Sequence, residues 1–215
     1  MSLQIGVVPV TDFQQNCALV FDSESKRGVV FDPGGEASKI AGVIAENGLA
    51  VEQIVLTHGH IDHAGGAAEL RERLGVEIVG PHRDDELLLQ GLERQAEMFG
   101  MAEPVRNVVP DRWLEDGDRL TIAGVEFDVR HTPGHAPGHV VFHAPAIGFA
   151  HVGDVLFAGS IGRTDLPGGD HRTLLNSIRD VCLAWPDETQ FLCGHGPGST
   201  IGRERASNPF LQDLR

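Results

Sequence analysis

The stretch Thr57-His58-Gly59-His60-Ile61-Asp62-His63-Ala64-Gly65-Gly66 decides how this chain is read. Four residues of metal-ligand type, His58, His60, Asp62 and His63, fall within six positions. On an extended segment His58 and His60 point the same way, because side chains alternate with period two. Gly59 lets the backbone bend between them without steric penalty. Asp62 and His63 follow at the start of an expected helix, so they can point elsewhere than the first pair. That arrangement suits two neighbouring metals. Imidazole with one carboxylate fits zinc first, and also iron or manganese. A lone His-x-His arises easily by chance. Four ligand types behind a strand and ahead of two glycines are not an ordinary Gly/His-rich surface turn.

Working outward, the N-terminal part reads strand, strand, strand, helix, strand. Residues 5–10, 18–21 and 29–31 are short apolar runs, the last ending near the Pro33-Gly34-Gly35 turn. Residues 38–47 place Ile40, Ala41, Ile44 and Ala45 on one helical face, and Gly48 supplies a stop. A strand over 53–57 runs straight into His58. A helix over 66–74 and a strand over 76–80 follow. Residues 83–99 carry Leu87, Leu88, Gly91, Leu92 and Gln95 in helical register, which predicts one helix with a partly exposed face. The segment 120–149 is strand-rich, with alternation through Val125-Glu126-Phe127-Asp128-Val129. A helix over 174–183 and a strand over 191–193 complete the pattern. Further ligand types recur just past strand ends: His135 in the turn 131–139, Asp154 after Gly153, and His195 between Gly194 and Gly196. Open sheets build their sites at such strand ends.

The chain has 215 residues, 41% hydrophobic and 22% charged, enough for a core without disulfide staples. Lys and Arg number 17 against 31 Asp and Glu, a net charge of −14. So acidic a chain repels phosphate backbones, which argues against nucleic acid and anionic membranes as partners. An anionic small substrate would need a local basic pocket. No segment approaches the roughly 18 uninterrupted apolar residues of a membrane span, and the N-terminus lacks the features of a signal peptide. Cys17, Cys182 and Cys193 form no C-x-x-C pair and read as reduced, buried thiols, which fits the cytoplasm.

The pattern H-x-H-x-D-H, then a lone His, an Asp and a final His, resembles the metallo-β-lactamase superfamily up to about residue 211. In detail it is similar to the glyoxalase II (hydroxyacylglutathione hydrolase) group, in its short bacterial type. The stretches that carry this likeness are Asp32-Pro33-Gly34-Gly35, Pro110-Asp111-Arg112-Trp113-Leu114, Gly153-Asp154-Val155-Leu156, Gly162-Arg163-Thr164-Asp165, Gly194-His195-Gly196-Pro197 and Asn208-Pro209-Phe210-Leu211. The resemblance implies an α/β fold, a four-layer αββα sandwich with metals at one edge between the sheets. It implies a single metallo-hydrolase domain over 1–215, without the C-terminal helical glutathione-binding domain of the larger enzymes. It assigns His58, His60 and His135 to one metal, and Asp62, His63 and His195 to the other. Asp154 matches the bridging carboxylate, and Asp62 and Asp154 are the catalytic candidates. His139 is expected beside the site or in the core, with His131 ambiguous. His82, His143 and His151 are expected to be structural or exposed, and His171 incidental to a helix cap at Asp170.

Two metals can lower the pKa of a shared water and polarise a carbonyl, so a bridging hydroxide is the expected nucleophile. There is no G-x-S-x-G elbow and no cysteine in an obvious His-paired setting. A thioester suits such a site, because its thiolate leaves with a pKa near that of Cys, about 8.5. The resemblance implies S-D-lactoylglutathione as substrate, cleaved to D-lactate and glutathione in methylglyoxal detoxification. Arg163 is the candidate partner for a glutathione carboxylate, with pairing to Asp165 as the alternative. Other readings are a mononuclear-iron persulfide dioxygenase of the same fold, a β-lactamase, and a non-catalytic metal-binding protein. The oligomeric state is not encoded in any visible pattern.

Overall fold

Apolar strands of the N-terminal half build the first sheet of the computed structural model, which describes residues 2–101 and 103–214. Its strands are β1 (Leu3–Val10), β2 (Gln15–Asp22), β3 (Arg27–Phe31), β4 (Ala50–Val55) and β5 (Glu77–Val79), hydrogen-bonded in that order. The first three run antiparallel; β3, β4 and β5 are parallel. The second half supplies β6 (Arg119–Ile122), β7 (Val125–His131), β8 (Val140–Ala144) and β9 (Phe149–His151). A ribbon of β10 (Leu156–Phe157) and β11 (Ser160–Ile161) precedes β12 (Gln190–Leu192) and β13 (Ser199–Thr200). The second sheet has the order β13-β12-β9-β8-β7-β6, with only β12 and β9 parallel.

Strand periodicity sorts the side chains into three apolar layers. From β2, Cys17 and Leu19 face helices α1 (Ala37–Glu46) and α3 (Ala67–Leu74), meeting Ile40, Ile44 and Leu70. The alternate residues Ala18 and Val20 face the second sheet, with Phe31 and Val55 against Phe127, Val129 and Phe142. The far side of that sheet packs Val141, Ala150 and Phe191 on Leu174 and Ile178 of α6 (His171–Asp180) and Ile201 of α7 (Ile201–Ser207). Strands buried on both faces read as apolar runs rather than as clean alternation. The result is the expected αββα sandwich. Asp170 caps α6 by accepting from the Thr173 N–H at 2.7 Å, as its position suggests. The three cysteines are buried and free. Among the described residues no helix is long and apolar enough to cross a membrane.

One element departs from the sequence pattern. Instead of one helix over 83–99 there is a turn of 3-10 helix (Arg83–Asp85), a short α4 (Glu86–Leu89) and a separate α5 (Leu92–Phe99). Hydrogen bonds to neighbouring loops outweigh helical continuity here. Asp85 accepts from the Gly59 N–H, and Gln95 donates to the carbonyls of Gly59 and Leu88. These bonds bend the segment around the loop that carries His58 and His60. A short α2 (Ile61–Ala64) starts directly after it and presents Asp62 and His63.

The ends of β3, β4, β7, β9 and β12 lie at one edge, and the loops that leave them carry Asp32, His58, His135, Asp154 and His195. Phe31 locks the two sheets just behind that edge. Its ring meets Phe142 edge to face at 5.0 Å and stacks on His151 at 4.7 Å. Phe31→Ala is expected to cost about 3–5 kcal/mol through the lost burial and the cavity left behind. Urea unfolding of the two proteins measures it.

Candidate metal centre

At each histidine of the edge, one ring nitrogen is tied to the protein. The His58 Nδ1–H donates to Thr57 Oγ1 at 2.9 Å, and the Thr57 hydroxyl donates to Asp32 Oδ2 at 2.6 Å. Asp32 Oδ1 takes the Thr57 N–H at 2.7 Å. His63 Nδ1–H donates to the same Asp32 carboxylate at 2.9 Å. His135 Nδ1–H donates to the Arg163 carbonyl at 2.8 Å, and His195 Nδ1–H to the Phe13 carbonyl at 3.2 Å. These bonds fix one tautomer, with the Nε2 lone pair aimed inward. His60 is turned the other way, its Nδ1 2.9 Å from His135 Nε2. Such outward ties are the usual support of metal-ligating histidines.

The inward atoms form three overlapping groups: His58, His60 and His135; His58, His63 and Asp154; and Asp62, His63 and His195. Asp154 reaches across them. Its Oδ1 is 3.3 Å from His63 Nε2, and its Oδ2 is 3.6 Å from both His135 Nε2 and His195 Nε2. Asp62 Oδ2 is 3.1 Å from His195 Nε2. Two ligands on one tetrahedral zinc, with bonds of about 2.0–2.2 Å, stand roughly 3.4 Å apart. The buried atoms His58 Nε2, His63 Nε2 and Asp154 Oδ1 have no hydrogen-bond partner. Buried polar atoms are seldom left so, and a bound cation would satisfy all three. The donor set therefore fits a two-metal centre. A surface cluster of His82, Asp84 and His131 offers a contrast. There His82 Nε2 already pairs with Glu115 and His131 Nε2 with the Pro137 carbonyl.

Burial, followed by the neighbouring imidazoles, holds His58 well below its ordinary pKa and His60 down at about 3. Both rings are thus neutral and ready to ligate. Burial also lowers His63, but Asp154 and Asp62 outweigh it and hold His63 well above the usual value. The reverse balance applies to Asp62 and Asp154: burial raises each carboxyl, and the facing histidines win and lower it.

A model of the metallo-β-lactamase superfamily matches residues 10–195, which takes in every ligand candidate. The chain belongs to the metallo-β-lactamase superfamily. Hydroxyacylglutathione hydrolase GloC of Haemophilus influenzae is 45% identical over 97% of this chain and 98% of its own length. Among solved structures, BLEG-1 B3 metallo-β-lactamase is 36% identical with a TM-score of 0.89, covering 97% of this chain and 100% of that one. TTHA1623 in a di-iron-bound form is 39% identical with a TM-score of 0.86, covering 96% and 100%.

Around this superfamily centre lie supporting residues, of which sequence reading passed over Asp85. His139 sits behind the cluster, where its Nε2 accepts the Asp154 N–H at 3.0 Å and its ring stacks on His58 at 4.7 Å. Asp32 stood out only as part of a shared stretch; here it orients His58 and His63 together. Asp85 lay hidden in the expected helix. Its carboxylate takes the Gly59 N–H at 2.8 Å and the Gly138 N–H at 2.5 Å, and so clamps the loops of His60 and His135 together. The Arg163 guanidinium forks onto Asp165, with both bonds at 2.7 Å, at the rim of the cleft above the cluster.

Asp85→Ala removes both acceptor oxygens, so two backbone N–H groups are stranded at an expected cost of about 1–3 kcal/mol each. Burial pushes the Asp85 carboxyl up to about 7 against those two N–H bonds, while an unfolded Asp titrates near about 4. Between these values the folded chain keeps a proton that the unfolded chain has lost. The stability from this group is therefore full below about pH 4 and falls as pH rises toward 7. In urea unfolding at matched metal content, the margin of wild type over Asp85→Ala should shrink across that window. A constant margin would contradict the assignment.

Gly194 has a different role. A Cβ there would overlap Asp154 Oδ1 and His63 Cε1. Gly194→Ala is expected to fold, with unchanged circular dichroism, yet to carry less metal than wild type by elemental analysis.

Proposed function

We propose that this metal-dependent hydrolase cleaves glutathione thioesters, S-D-lactoylglutathione among them, to the free acid and glutathione. One observation carries the reading: 45% identity, over nearly the full length of both chains, to a protein named for that substrate class. The His/Asp centre at the floor of an open cleft supplies the chemistry. In this reading His58, His60 and His135 hold one divalent ion and Asp62, His63 and His195 the other, with Asp154 serving both. Zinc suits the donors, and the di-iron form of TTHA1623 makes iron the first alternative. Two such ions, when bound, supply Lewis acidity and a water of near-neutral pKa.

The chain's own residues then position and retain. Asp32, through Thr57, keeps His58 in its ligating tautomer, and directly does the same for His63. Asp62 and Asp154 face the reacting carbonyl as ionised carboxylates. The water oxygen bonds to the acyl carbon, the C–S bond breaks, and the thiol departs with a proton. A thiolate of pKa about 8.5 needs no strong acid from the protein. Arg163, at the rim, takes a glutathione carboxylate in exchange for Asp165. Reduced, buried Cys17, Cys182 and Cys193 fit a cytoplasm rich in glutathione.

The likeness to BLEG-1 supports a second reading, in which the same centre opens a β-lactam amide. Turnover of nitrocefin would favour it.

The deciding experiment is a thioester panel on protein of known metal content. Hydrolysis of S-D-lactoylglutathione should vanish with chelator and return with zinc. No thioester turnover by fully loaded protein would remove the proposal. One iron per chain, with oxygen consumed on glutathione persulfide, would replace it by a dioxygenase. Arg163→Ala should raise KM and Asp165→Asn should lower it, each about two- to tenfold, as befits an exposed charge pair. The effect on kcat should be small, because the contact is the same in ground and transition states.

A further inference from the structure

We infer that the cleft selects its thioester by an apolar arm, so that a medium-length alkyl or aryl substituent binds better than a small polar one. This rests on the thioester reading above and names the substrate class within it. Beyond the ligand candidates, the cleft of about 500 Å³ is walled by Phe13, Leu88, Met98, Phe99, Phe157 and Leu166. Its few other polar side chains are already occupied. The Gln95 amide donates to the Gly59 and Leu88 carbonyls and accepts the Ile61 N–H. The Ser160 hydroxyl turns to the Ile161 carbonyl. Among the described residues Arg163 is the only Lys or Arg of the lining, and it is forked onto Asp165. An anionic tripeptide therefore finds one cation here, shared with an acid, on a chain of net charge −14.

The apolar wall, by contrast, waits in water. Met98 is 68% exposed, Phe99 43% and Phe13 38%. They come from two separate elements, the turn after β1 and the end of α5, and the Phe13 and Phe99 rings meet edge to face at 5.9 Å. An occupant that covers them gains the burial that the fold leaves unmade. The wall is also fixed relative to the chemistry, because the Phe13 carbonyl holds His195. On the far side the Phe157 ring lies 6.4 Å from the His195 ring. An arm leaving the scissile carbonyl thus meets apolar surface at once. The occupant is a substrate arm rather than a second copy of the chain, because the wall is continuous with the ligand cluster at the cleft floor.

Two series on zinc-loaded protein test this. In the first, calorimetric titration uses S-methyl-, S-butyl-, S-hexyl- and S-octylglutathione, thioethers that cannot be hydrolysed. Affinity should rise at least about tenfold from methyl to hexyl, and Phe99→Ala and Met98→Ala should flatten the rise while metal content stays unchanged. In the second, kcat/KM should climb in the same sense from acetyl- to hexanoylglutathione, with lactoylglutathione near the low end. Affinity that is flat or falls with length overturns the inference, even if thioesters are hydrolysed. Rising affinity without any thioester turnover overturns the hydrolase reading and leaves the apolar cleft standing. Sedimentation velocity at the same concentrations covers the remaining occupant: a ligand-independent dimer whose dissociation by Phe99→Ala shows that it buries the wall would overturn the inference too.

Discussion

One buried carboxylate keeps the metal centre in register. Asp32 leaves the end of β3 with φ of +49°, a left-handed conformation that non-glycine residues seldom adopt. Three hydrogen bonds hold it there, from the Thr57 N–H, the Thr57 hydroxyl and the His63 ring. Through them β3, the end of β4 and the short α2 converge on one group. The rest of the site follows from the same rule. At His58, His63, His135 and His195 an outward Nδ1–H bond orients the ring, so these donors are aimed before any ligand arrives. That order is maintained by backbone carbonyls at Phe13 and Arg163 as much as by side chains.

The charge pattern makes sense on this basis. Asp32, Asp62 and Asp154 stand within one small region, together with the neutral rings of His58 and His60. A net cation is what such a cluster lacks, and bound divalent ions are the largest local charges that could supply it. On an acidic surface they would also be the main positive feature that an anionic substrate meets. Under the proposed function, such ions would let a protein of net charge −14 offer an anion a place to bind without a conspicuous basic patch.

What the sequence revealed, and what it hid, divides along a physical line. The ligand cluster was legible because its residues are near neighbours in chain, His58 to His63, and because glycines mark the other strand ends. The strands and helices were legible because doubly buried strands are apolar runs and α1 carries one apolar face, while their arrangement as a sandwich came from the family resemblance. Asp85 was not legible. Its partners Gly59 and Gly138 lie 26 and 53 residues away, and its segment carries a helical period that masks the break before α5. Asp32 was legible as a motif but not as a brace, since His63 lies 31 residues on. The apolar wall was invisible for another reason. Phe13 in a turn and Phe99 at a helix end give no local sign that they share a cleft. Arg163 shows the reverse case, for its partner Asp165 is two residues away and the pairing was readable as an alternative.

The first hairpin closes on the last ligand. Asn16, at the start of β2, donates its side-chain amide to the Cys193 and Gly196 carbonyls, 177 and 180 residues along the chain. Its backbone N–H meets the Gly194 carbonyl. Ribosomes deliver the chain from the N-terminus, so this clasp is among the last contacts a nascent protein can make. His58, His60 and His135 can assemble while translation continues, but the group containing His195 must wait for release from the exit tunnel. Maturation of the centre is therefore ordered in time by the direction of synthesis, and a chain stalled short of residue 195 carries an incomplete site.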